Sequence, residues 1–103
     1  METLVKIQKE LVFSREIICD LCNTVILPEK EDFYATFWQE EENTFLEKYI
    51  CNKCAKQYYA NEEKIPLSKA STEMKELIAE DAVRDLKKVH QKATEILMLY
   101  KYL

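Results

Sequence analysis

Four cysteines fall in two pairs, Cys19-x2-Cys22 and Cys51-x2-Cys54, with twenty-eight residues between the pairs. Two intervening residues let both sulfurs of a pair reach one tetrahedral ion, at about 2.3 Å for zinc. Two such pairs complete a four-sulfur shell, and soft thiolates suit zinc or iron while disfavouring magnesium and calcium. The competing uses of cysteine fit less well. Two disulfides require oxidising conditions, and thioredoxin-like redox pairs require a βαβ setting that neither pair has. Four buried cysteines with no metal would have no need of paired spacing. Cys19, Cys22, Cys51 and Cys54 are therefore the expected ligands and zinc the expected ion. If all four bind, no position is left for water, and the metal holds the fold instead of acting as a Lewis acid.

Little else in the chain points to chemistry. His90, the single histidine, sits near a helical seam beside Val89 and reads as solvated or packed against a partner. Asp32, Glu40, Glu41 and Glu42 read as a solvated turn. With no glycine in the chain there is no Gly-rich phosphate loop, and no nucleophile motif is present. The expectation is a non-enzymatic protein.

The elements that must position the cysteines are legible in outline. TLVKI and ELVFSREII, residues 3–18, mix β-branched and aromatic residues with polar ones and predict one or two strands. CDLCN follows, then a polar loop around Pro28. DFYATFWQ and NTFLEKYI predict two strands joined tightly at Glu40 to Asn43, with Phe33, Ala35 and Phe37 on one face and Tyr34, Thr36 and Trp38 on the other. ICNKCAKQYYA predicts a helix starting at the second cysteine pair and running to about Glu63. Ile65-Pro66 breaks it, because a residue before proline avoids helical geometry. Without glycine, left-handed backbone positions fall to asparagine, and Asn23, Asn43, Asn52 and Asn61 stand at the expected knuckle, turn and helix ends. A helix start offers unpaired N–H groups and a positive dipole end, both of which stabilise thiolate sulfur.

A knuckle, then a hairpin, then a helix carrying the second ligand pair resembles the treble-clef class of zinc fingers over about residues 17–62. The likeness lies in spacing and element order. By it Cys19 and Cys22 form the knuckle pair and Cys51 and Cys54 the helix pair. Rubredoxins, which bind iron at similar separations, usually carry glycine after both pairs, where this chain has Asn23 and Ala55. Nucleases of the His-Asn-His type place a catalytic histidine on the hairpin, and none stands there.

Ser68 or Ser71 can cap a final helix in which Met74, Ile78, Ala82, Leu86, Val89, Ala93, Ile96, Tyr100 and Leu103 recur at steps of four or three. Residues 71–103 as one helix would extend about 50 Å, whereas a body of 66 residues is roughly 28 Å across. The seam then exceeds what its own domain can cover, which predicts self-association or partner docking ahead of a fold-back near Asp81. The expected architecture is α+β: residues 1–66 form a small zinc-bound knuckle and hairpin domain with N-terminal strands, and residues 67–103 a long C-terminal amphipathic helix.

Charge narrows the partners. Residues 19–50 carry eight acids against two lysines, and the whole chain has a net charge of −4. Nucleic-acid binding needs clustered cations. Only Lys53, Lys56, Lys64 and Lys69 are candidates, so a nucleic-acid-binding transcriptional regulator is the alternative reading and a rubredoxin-like iron carrier a second one. Half of the eight aromatics between Phe33 and Tyr59 can fill a core, and the rest are either covered by other elements or mark a binding surface. The first expectation is a zinc-stabilised protein-interaction module, a small regulator, adaptor or inhibitor of a larger protein such as a nucleic-acid enzyme. No run is long and apolar enough for a membrane span. METLVKIQKE has no apolar core of a secretory signal, so a reducing, cytoplasmic setting is expected.

Overall fold

The computed structural model describes residues 1–83 apart from Glu10, Val12 and Glu42. His90 and the seam positions from Leu86 onward lie outside the described residues. A four-stranded sheet has the order β5-β4-β1-β6, from β1 (Glu2–Ile7), β4 (Phe33–Glu40), β5 (Asn43–Cys51) and β6 (Lys64–Pro66). A separate two-stranded ribbon pairs β2 (Ile17–Ile18) with β3 (Val25–Ile26), Ile17 facing Ile26 and Ile18 facing Val25. Helix α1 (Asn52–Tyr58) follows β5 directly, and residues 72–83 form helix α2.

The hairpin forms as its sequence predicts, with Glu40 paired to Asn43. Left-handed geometry is met differently from the asparagine expectation. Asn23 adopts φ 60°, but the other described positive-φ residues are Lys9 and Glu41. Asn43 is extended in β5 and Asn52 opens α1, so only the knuckle asparagine fills the role proposed for all four. Helix α1 also ends earlier than the sequence suggests, with Tyr59 at its C-cap. The chain after it returns as β6, parallel to β1, with Ile65 beside Val5. Pro66 fits there because β6 is an edge strand, where a missing N–H costs no ladder bond.

Strand β4 is buried from Phe33 to Phe37 on both faces because it is central in the sheet and each face is covered. On one face Phe13, Phe33 and Tyr49 meet edge-on or tilted, with ring centroids 5.6–5.8 Å apart. The start of α2 closes this side. Met74 and Ile78 enter the same core, Ser14 N–H donates to the Ala82 carbonyl at 3.3 Å, and Arg15 pairs with Asp81. On the other face lies α1. Its Ala55 is fully buried, and Tyr59 at its end reaches Glu2, with the hydroxyl donating to Oε1 at 3.5 Å. Helix α2 is capped by Ser71, whose hydroxyl accepts from Met74 N–H at 3.3 Å.

Candidate metal centre

The knuckle begins with a tight backbone turn. Asn23 N–H donates to the Cys19 carbonyl at 2.8 Å, and Cys19 N–H donates to the Thr24 carbonyl at 2.9 Å. Closing so small a loop puts Asn23 in the left-handed region, which asparagine tolerates better than most residues. Cys19 and Cys22 are thereby aimed to one side of the ribbon.

The second pair is set by the end of β5 and the start of α1. Cys51 is the N-cap residue of α1, with extended backbone, and its sulfur accepts from the Cys54 N–H at 3.4 Å. Sulfur thus takes the capping place usually held by a serine or aspartate oxygen, and one of the helix's unpaired donors is satisfied. Two further bonds lock the halves together. Asp20 N–H donates to the Tyr49 carbonyl at 3.0 Å, and Tyr49 N–H donates to the Asp20 carboxylate at 3.1 Å.

The result brings Cys19, Cys22, Cys51 and Cys54 together, with all four sulfurs within 4.8 Å of one another. The donor set fits a tetrahedral ion. Zinc–sulfur bonds of about 2.3 Å imply sulfur–sulfur edges of about 3.8 Å, and Cys22 Sγ already lies 3.7 Å from Cys51 Sγ. Every cysteine chosen on spacing therefore converges on one centre, and among the described residues no other group of histidine, cysteine or acidic side chains is so arranged.

The four sulfurs are not equivalent. Cys19, Cys51 and Cys54 are buried and Cys22 is exposed. Thr24 lies beside Cys22, with its Oγ1 3.2 Å from the sulfur. Once Cys22 is ionised, the Thr24 hydroxyl and backbone N–H both donate to it. They hold its pKa down from 9.0 to about 6. Burial acts the other way on Cys51 and Cys54, whose thiols are pushed up because a lone thiolate there would be poorly solvated, and neighbouring sulfurs push Cys54 further. Cys19, Cys22, Cys51 and Cys54 are the residues that would hold a metal ion, and a divalent cation there would supply the positive charge that favours the thiolate form of the buried thiols.

The surroundings of the centre are mixed. A cleft of about 280 Å³ opens beside it, lined in part by Leu21, Cys22, Lys53 and Tyr58. Of the four lysines weighed for phosphate contacts, Lys64 turns inward and donates to the Tyr59 carbonyl at 2.7 Å and the Glu62 carbonyl at 3.3 Å. Fold and site together define a small α+β protein with a four-cysteine cluster able to hold a metal ion. Comparison with protein-family models, with curated proteins and with solved structures finds no match.

Proposed function

We propose that the chain is a non-enzymatic, zinc-stabilised protein-interaction module of treble-clef type, serving as a small regulator, adaptor or inhibitor of a larger protein. The observation that carries the reading is the convergence of the knuckle pair and the helix pair on one centre. Four thiolates fill a tetrahedral shell, so the metal's work is structural. Its contribution is large, about 10–16 kcal/mol of apparent binding energy in small finger peptides. Zinc is preferred to a rubredoxin-type iron because Cys51 and Cys54 open a helix where rubredoxins have a second knuckle. An acidic hairpin suits a basic groove, such as that of a nucleic-acid enzyme.

Direct nucleic-acid binding is the weaker reading, because the inward turn of Lys64 leaves Lys53, Lys56 and Lys69 as the outward cations of an already thin patch. The test begins with metal analysis and the visible spectrum of the purified protein. One zinc per chain and no colour are expected, while absorbance from ferric tetrathiolate would replace the reading with electron transfer. A stoichiometric complex with a protein partner, lost on chelation, is the functional outcome expected. A steeply salt-dependent gel shift with nucleic acid in place of such a complex would overturn it.

A further inference from the structure

The helix that covers one face of the sheet stops short of the hairpin's end. Along β4 every residue from Phe33 to Phe37 is buried, and then Trp38 is exposed. Trp38 pairs across the hairpin with Phe45, and the two rings are 37% and 48% exposed. Glu2 faces Trp38 from β1, and it is Glu2 that Tyr59, the C-cap of α1, touches. Among the described residues, helical cover therefore runs out at this level. Glu40, two residues beyond Trp38, lies on the same side of the strand, and Glu41 forms the turn; both are exposed. Strand β5 is the sheet's edge, so the surface is open to a partner laid alongside.

The protein already shows what such a surface takes. Further along this face the Lys48 ammonium lies 5.8 Å from the centre of the Tyr59 ring and 3.9 Å from the Glu2 carboxylate. A cation between an aromatic face and a carboxylate satisfies both. Trp38 and Phe45 with Glu40 and Glu41 repeat the aromatic and acidic parts of that arrangement. The cation is the part a partner would bring.

We propose that the far end of the hairpin is a docking surface for a cationic protein segment, whose lysine or arginine side chains stack on Trp38 and Phe45 and pair with Glu40 and Glu41. This deepens the interaction-module reading above and rests on it. Stacking on the half-exposed rings supplies the affinity, and the acidic rim selects the sign of the partner's charge and speeds its approach.

Trp38 is the only tryptophan, so its fluorescence reports this surface directly. The purified full chain is titrated at low salt with a synthetic nine-residue peptide of arginine, lysine and leucine, and with a counterpart carrying glutamate in place of the basic residues. A saturable change with the basic peptide alone is expected. Phe45→Ala should weaken it by about tenfold, the middle of the range for a cation on an aromatic face. E40Q/E41Q should weaken it several-fold and flatten its salt dependence, whereas E73Q/E76Q, which removes the same charge from α2, should leave it unchanged. Equal weakening by the α2 variant, or no saturable change, overturns the proposal. So does a signal that depends on protein concentration without peptide, because a second copy then covers the rings. Metal content is measured on the same sample: loss of zinc counts against the module reading, while the titration decides the surface.

Discussion

Asp20 and Tyr49 hold each other by two hydrogen bonds, one from each backbone N–H, at 3.0 and 3.1 Å. The pair joins the first residue inside the knuckle to the strand that ends at Cys51. It links the two halves of the cysteine cluster without passing through sulfur.

Asp20→Ala removes the carboxylate that Tyr49 N–H needs. Leaving a buried donor unpaired costs about 1–3 kcal/mol, which corresponds to a drop of several degrees in melting temperature for a domain of this size. Metal affinity should fall with it, because the sulfur pairs lose part of their alignment. Thermal melting with and without added zinc checks this. An unchanged melt in both conditions would show that the link is incidental.

Removal of the ion should unfold the knuckle and hairpin. Cys54→Ser takes away a buried sulfur at the helix start, and we expect loss of stoichiometric metal together with a much lower melting temperature. Excess chelator added to the native protein should give the same far-ultraviolet change. Melting that is indifferent to both treatments would mean that the cluster does not hold the fold.

Thr24 sits beside the exposed cysteine of the cluster, Cys22. In Thr24→Val the hydroxyl that donates to the Cys22 thiolate is gone, though the backbone donor remains. Loss of an outer hydrogen bond of this kind typically costs tenfold or more in metal affinity, about 10–100-fold across studied sites. Competition against a chromophoric chelator measures it, and Thr24→Ser, which keeps the hydroxyl, should restore most of the affinity.

Two buried tyrosines should make stability fall at alkaline pH. Burial raises Tyr34 above the ordinary value of 10.0, and burial together with Asp81 raises Tyr49. In the unfolded chain both ionise near 10, so above that pH the unfolded state binds fewer protons than the folded one. Stability is therefore complete below about pH 10 and declines as the pH climbs from there toward the folded values. Tyr49→Phe should flatten this decline in chemical denaturation carried out from pH 9 to 11. A decline as steep as in the parent would assign the effect elsewhere.

The sequence by itself determined the four-cysteine cluster, the hairpin and its turn, the helix beginning at the second cysteine pair and the buried steps Met74, Ile78 and Ala82 of the last helix. Each of these is written in local spacing: two residues between cysteines, alternation along a strand, three-four steps along a helix. What only the tertiary structure decided were the long-range matters. Lys64–Pro66 became a strand because β1 had a free edge to receive it, which no feature of its own three residues announces. The aromatics divided into buried Phe33, Tyr34, Phe37 and Tyr49 and exposed Trp38, Phe45 and Tyr58. Their chemistry is alike; the buried ones lie under α1 or under the described start of α2, and cover of that kind comes from residues distant in the chain.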